Sequence, residues 1–274
     1  MKRTSLRARL LSAPYIVWAA IFIVVPLFIV VYYAFTDRSG VFSLSNITAL
    51  ADYKDTFIIS VWYSVIATVI TLVIAYPFAY ALSRFGANTQ RMMMLLVMLP
   101  MWMNLLIRTY SWMNILERNG IINNVLAGFG IEPLKMIGTP GAVILGMVYN
   151  SLPYMILPIY TVMSKLDITL LEAADDLGAN AFQRLRTLVI PLSMPGVISG
   201  ITMVFVPSVS TFYISQKLGG GKIMLIGDAI ERQIQQQYNY NLGASISLVL
   251  MVMILISMAI MNRFASDDAE RLVV

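Results

Sequence analysis

Six stretches of this chain are apolar and almost free of charge, and the charges gather between them. Residues 14–35 follow a basic N-terminus, and residues 56–83 lie between Asp55 and Arg84. A third stretch, Met92 to Leu116, is interrupted only by Arg108. Residues 136–164, 187–216 and 233–262 complete the set. A helix needs about 20 apolar residues to cross a hydrocarbon core roughly 30 Å thick. Each stretch holds a core of that length. The pattern therefore predicts spans at about 14–35, 58–82, 92–116, 139–163, 192–214 and 242–262. Segment 39–51 is uncharged but too short and too polar to be a seventh. A soluble bundle would need charged faces on most helices, and these runs have none. The expected fold is an all-α polytopic membrane protein, with residues 1–274 forming one transmembrane domain.

Composition sharpens this reading. Of 274 residues, 59% are hydrophobic and 12% charged, against about 25% charged in a typical soluble domain. There is no Cys and no His. That excludes disulfides, Cys/His metal sites, a Ser-His-Asp triad and a cysteine nucleophile. The net charge of +5 matters through its placement. With the N-terminus inside, the inner segments hold Lys2, Arg3, Arg7, Arg9, Arg84, Arg91, Lys165, Arg184, Arg186, Arg263 and Arg271. The longer outer segments hold Arg38, Lys54, Arg108, Arg118, Lys135, Lys217, Lys222 and Arg232. The basic excess predicts N-in and C-in. The first run is too long for a signal-peptide core and no A-x-A site follows it, so it reads as a retained anchor.

One inner loop, residues 165–191, carries more helix information than a connector needs. Thr169 with Glu172 fits a capping box. Leu170, Ala174 and Leu177 repeat on one face, and Gly178 stands where a left-handed residue would close a helix. Asn180 with Gln183 gives a second N-cap signal, and Phe182, Leu185 and Val189 continue an apolar stripe to Pro191. The expectation is two short helices hinged at Gly178. So short a helix is marginal alone and must dock. Its acids, Glu172, Asp175 and Asp176, would be repelled by anionic headgroups, which favours a protein partner.

The same residues carry a resemblance. Glu172-Ala173-Ala174, then Gly178, then Leu188, Ile190 and Pro191 resemble the EAA loop of permease subunits in bacterial binding-protein-dependent ABC importers. Met98 to Leu116, Gly138 to Tyr160 and Gly219 to Gln233 are similar to the permeases of spermidine/putrescine importers that carry LIR-x-Y in the third span. The resemblance implies a coupling helix between spans four and five that fits a cleft on an ATPase subunit, with Leu170, Glu172, Ala173, Ala174, Asp175, Gly178 and Pro191 making that connection. It further implies a second homologous permease, two ATPase subunits that hold ATP and Mg, an extracytoplasmic binding protein and import of polyamines by alternating access. Lipid is the remaining partner, and no nucleic acid is implied.

The residues themselves agree that energy comes from elsewhere. No G-x-x-x-x-G-K-[ST] is present, and Gly219 to Lys222 reads as a flexible or re-entrant turn. The chain is expected to bind no cofactor and catalyse nothing. Polar residues inside spans are costly and mark function by default. Asn104 and Arg108, four apart and expected on one helix face, stand with Trp102, Tyr110, Trp112 and Asn114 in the third span. Ser208, Ser210, Thr211 and Tyr213 follow Pro207 in the fifth. Prolines at 26, 77, 100, 153, 158 and 207 interrupt spans and let backbone line a cavity. The spans hold no Asp or Glu. The nearest outer acids are Glu117, Asp228 and Glu231, the last two taken as substrate candidates. Two alternatives stay open: import of another small solute (an amino acid, a thiamine-like cation, an iron chelate), or a secondary transporter, which would be expected to carry internal acids.

Overall fold

A computed structural model describes residues 14–271, so Lys2, Arg3, Arg7 and Arg9 lie outside the described residues. Among the described residues, five helices are long and apolar enough to cross a membrane: α1 Pro14–Ala34, α2 Ser45–Ser83, α6 Pro140–Met163, α8 Ala181–Val209 and the Tyr240–Met261 part of α11 (Tyr240–Arg271). A bent pair supplies a sixth crossing. It consists of α3 (Ala87–Trp102) and the Leu105–Gly128 segment, which holds α4 (Leu105–Leu116) and α5 (Ile121–Gly128). Shorter helices fill the connections: α7 (Ile168–Asp176), α9 (Tyr213–Leu218) and α10 (Ile226–Glu231).

The contacts divide the chain into two units. One comprises the segment up to Asp55 with Ala229–Val252, and the other Thr56–Asp228 with the segment from Met253 onward. In the first unit, Asn241 closes the end of α1. Its Nδ2 donates to the carbonyls of Thr36 at 2.8 Å and Asp37 at 3.2 Å, and Ser245 Oγ donates to the Ala34 carbonyl at 3.0 Å. A helix leaves its last carbonyls without partners, and a side-chain amide from a neighbouring helix meets that need where water is scarce. Segment 39–51, too polar to be a span, still contributes structure: Ser45–Tyr53 is helical and forms the first part of α2.

The second unit is built on small residues. α6 packs closely on α8, and the reason lies in Gly196 and Gly200, four apart on α8. A Cβ at Gly196 would stand 2.8 Å from the Pro158 carbonyl oxygen, and one at Gly200 2.7 Å from Met155 Sδ. Small residues at that spacing let membrane helices approach closely, because lipid offers no hydrophobic drive to hold them together. The inner face of α2 follows the same logic, with Ser60, Ser64, Ala67, Thr68, Thr71, Ala75 and Ala79 all buried. Each hydroxyl on this face donates to the carbonyl four residues back, so no polar atom faces hydrocarbon unpaired. Ser60 Oγ also accepts the Ile226 N–H at 2.8 Å. Two hydroxyl contacts tie separate helices, Tyr76 Oη with Ser193 Oγ at 2.9 Å and Tyr160 Oη to Gln90 Oε1 at 2.8 Å.

Three expectations from the sequence are corrected. The third run is not one straight helix. It breaks at Met103–Asn104 and turns by 94°, because Pro100 ends one helix and Asn104 caps the next. The loop's second helix is not a separate short element either. It begins at Ala181 and continues into the fifth span through a π-helical turn, Leu185–Val189. Pro191 has no N–H for the Thr187 carbonyl, and the turn absorbs that defect by shifting the Ile190 N–H to the Leu185 carbonyl. Finally, Gly219–Lys222 is a packed turn. The Gly138 N–H donates to the Leu218 carbonyl at 2.8 Å, and Gly220 and Gly221 take φ of +56° and +72°.

Candidate functional site

The loop between the fourth and fifth spans starts with α7. Its N-cap is Asp167, not Thr169: Asp167 Oδ1 accepts the Thr169 N–H at 3.0 Å. This bond, with the Thr169 side chain, holds the Asp167 carboxyl below its ordinary pKa. A carboxylate at a helix start also meets the positive end of the helix dipole. The Thr169–Glu172 pairing expected from sequence is therefore replaced by a cap two residues earlier. Asp167 was legible as a candidate, being a favoured capping type. The buried position is Leu171, with Ala174 half-buried beside it, while Leu170 and Leu177 point outward. Ile168 and Leu170 are exposed, and Leu177 is 88% exposed. Glu172, Ala173 and Asp175 are exposed as well.

The end of α7 is a Schellman turn. Gly178 has φ +79°. Its N–H donates to the Asp175 carbonyl at 2.9 Å, and the Ala179 N–H donates to the Ala174 carbonyl at 3.0 Å. That is the 5→2 and 6→1 pair of this motif. Asn180 and Gln183 then form a reciprocal capping box at 2.8 and 2.9 Å. Arg184 Nη1 bridges back across the turn to Asp175, 2.6 Å from Oδ1. Asp175 is thus spent within the chain, and Pro191 lies nearly three turns into α8 rather than in the loop. The outcome is a short helix held at a fixed angle to a span. Its free surface combines aliphatic side chains with Glu172, and Phe182, 69% exposed, extends it.

The second group of residues surrounds the break in the third span. Asn104 has φ −58° and ψ +131°, and its Oδ1 accepts the Leu106 N–H at 2.8 Å. Being a cap rather than a helical residue, it does not share a helix face with Arg108 in the sense expected. Arg108 is buried. Its Nη1 donates to the Pro100 carbonyl at 2.9 Å, and its guanidinium lies 5.9 Å from the Tyr149 ring. It therefore stitches the two halves of the broken span. Trp102 is 79% exposed. Asn104, Tyr110, Ser111 and Asn114 are all exposed along α4, with the exposed Ile107 among them.

A second break follows Pro207. Ser208 is buried. Ser210 Oγ donates to the Pro207 carbonyl at 3.2 Å, and the Thr211 N–H donates to the Ser208 carbonyl at 3.3 Å. Tyr213 opens α9, which packs on α4. Gly227 permits this bend, since a Cβ there would stand 2.5 Å from the Ser210 and Thr211 carbonyl oxygens. Tyr110 and Tyr213 meet Lys217, whose Nζ lies 5.4 and 5.7 Å from their ring centroids. Of the outer acids, Asp228 is buried and its Oδ2 accepts the Leu225 N–H at 2.8 Å. Glu231 accepts from Gln236 Nε2 at 3.3 Å.

The described residues thus combine a close-approaching helix pair, an interrupted third span and a short capped helix between two spans. Residues 75–266 match the family described as binding-protein-dependent transport system inner membrane component. The chain belongs to this family. It is an ABC importer permease, a multi-pass protein of the inner membrane. Among its relatives is the spermidine/putrescine transport system permease protein PotB of Haemophilus influenzae. That protein is 37% identical over 228 residues, covering 79% of each chain. PotB of Escherichia coli is 35% identical over 226 residues, covering 79% of this chain and 82% of that one. A solved bacterial ABC transporter involved in import of the acidic polysaccharide alginate has a chain of the same fold. Its TM-score is 0.72 at 17% identity, over 95% of this chain and 96% of that one.

Proposed function

We propose that this permease is one of two membrane subunits of a polyamine importer. A cargo-loaded extracytoplasmic protein docks on its outer loops. Two separate ATPase subunits bind ATP and Mg and close on each other. α7 transmits that closure to the spans, which open inward. The observation that carries the cargo is the 34–37% identity to spermidine/putrescine permeases over most of the chain.

α7 supports the coupling role. A nine-residue helix has little stability alone, yet it is capped at both ends and pinned to α8 through Arg184. It presents Ile168, Leu170, Glu172 and Leu177 outward. An apolar stripe with one acid suits a cleft on a partner protein better than an anionic membrane surface. The basic residues favour an inward N-terminus and C-terminus, which puts α7 on the ATPase side. The break at Asn104 frees backbone within the third span, as discontinuous helices do in transporters, and the turn at Ser210 frees it at the end of the fifth. The rest of the pathway is expected on the second permease, which also supplies acids that this chain's spans lack.

The test is ATPase activity of the four-subunit complex in liposomes. Binding protein is added empty, loaded with spermidine, or loaded with putrescine. Stimulation by a polyamine-loaded protein above the empty one is expected. Hydrolysis that ignores polyamines would discard the cargo. A chain that never co-purifies with an ATPase would discard the coupling role of α7.

A further inference from the structure

Lys217 belongs to none of the roles above, and it stands in an unusual place. It lies on α9, at the outward end of the fifth span under the orientation proposed. A lysine ammonium near the hydrocarbon is costly unless it is paired or reaches water. Here it lies 5.4 Å from the Tyr110 ring centroid and 5.7 Å from that of Tyr213. Both distances are within the range at which an aromatic face attracts a cation. Tyr110 comes from α4 and Tyr213 from α9, and the three side chains are mutual electrostatic neighbours. Tyr110 is 47% exposed and stands with Asn104, Ser111 and Asn114 among the exposed residues along α4. The tyrosine pair is therefore open on the side of Tyr110.

The chemistry of the occupant is informative. A lysine side chain is four methylenes ending in an ammonium. That is the whole carbon chain and one ammonium end of 1,4-diaminobutane. A site that holds this side chain has the size and charge preference to hold an alkylammonium ligand. We propose that Tyr110 and Tyr213 form an ammonium-binding station on the translocation path, and that Lys217 is its tethered occupant, displaced by an ammonium group of the cargo. The lysine keeps the station filled and its rings partly desolvated when no cargo is present. It also lowers the station's affinity, so that cargo passes rather than lodges. Spans without carboxylates can then contribute to recognising a polycation without trapping it. This inference rests on the polyamine reading for its cargo, but the station's preference for alkylammonium groups can be tested without it.

The experiment uses the complete complex in nanodiscs, without binding protein, and measures equilibrium retention of radiolabelled putrescine and of 1-aminobutane. Lys217→Met removes the tethered ammonium and keeps the side-chain length. Retention of both probes should rise about tenfold, equivalent to about 1.4 kcal/mol, which is the scale of a partly desolvated cation–aromatic contact. Adding Tyr110→Leu and Tyr213→Leu should abolish the gain. Lys217→Gln serves the same purpose if the methionine variant does not co-purify with its partners. No gain in the lysine variant would overturn the proposal. A gain that survives loss of both rings would also overturn it, since that result reports simple charge repulsion. If the wild-type complex imports no polyamine while the lysine variant still gains 1-aminobutane, the cargo falls and the ammonium station stands.

Discussion

Gly178 offers a test in which sterics and backbone conformation separate cleanly. Its φ is +79°, and no heavy atom would lie within 4 Å of a Cβ built there. A substitution therefore meets open space, and its cost is that of holding an L-residue in the left-handed region. That cost is about 1–2 kcal/mol for an ordinary side chain. It is smaller for Asn, which tolerates this conformation, and larger for a β-branched residue. α7 has only nine residues, so its C-terminal turn carries much of its order. A loss of 1.4 kcal/mol lowers the population of the docked geometry about tenfold. Transport coupled through α7 should then fall in the order Gly, Asn, Ala, Val, with Ala reduced about 5- to 30-fold where docking limits the rate. The assay is ATP-driven uptake into proteoliposomes, with assembly followed by co-purification of the ATPase. Equal damage from Asn, Ala and Val would refute the conformational argument and show that the partner contacts position 178 directly. Wild-type transport by the Val variant would refute a coupling role for the turn.

Three further outcomes follow from the packing and the charges. Gly196→Val drives a side chain into the backbone of α6 at Pro158 and Ile159, and should cost about 1–3 kcal/mol with loss of assembled protein; an unchanged melting temperature would show that these helices separate freely. Arg108→Met leaves the Pro100 carbonyl without its guanidinium donor and should lower stability by about 1–3 kcal/mol, read by thermal unfolding, whereas loss of transport at full stability would instead assign Arg108 to the pathway. In the outer loops the Lys222 ammonium, with a smaller contribution from Arg118, holds the Lys135 pKa below the ordinary lysine range. The folded chain therefore binds fewer protons than the unfolded chain between the two lysine pKa values, so stability rises with pH across that window. Lys222→Gln should move Lys135 back toward its ordinary value, visible by NMR of methylated lysines, and should flatten that rise.

Residue pattern alone determined the solvent and the fold class. Hydrocarbon demands long runs without charge, and six such runs are written in the sequence whatever the packing. The C-terminal turn of α7 was legible for a similar reason, because a left-handed residue is a local demand that glycine meets. The Asn180–Gln183 box, three residues apart, is equally local. Other features required the tertiary structure. The 94° turn at Asn104 arises because Pro100 stops one helix while Arg108, eight residues on, reaches back to its carbonyl. Arg184 binds Asp175 only because the Gly178 turn folds α7 against the start of α8. The inward face of α7 is set by what Leu171 meets, which leaves Leu170 and Leu177 on the outward surface. The Gly196 and Gly200 spacing was visible, but its meaning depended on Pro158 crossing above it. Lys217 read as an ordinary outer charge until the fold placed two rings, 103 residues apart in sequence, over its ammonium. Local backbone chemistry and transfer from water are fixed residue by residue. The partners of a charged side chain are chosen by helices that meet only after the chain has folded.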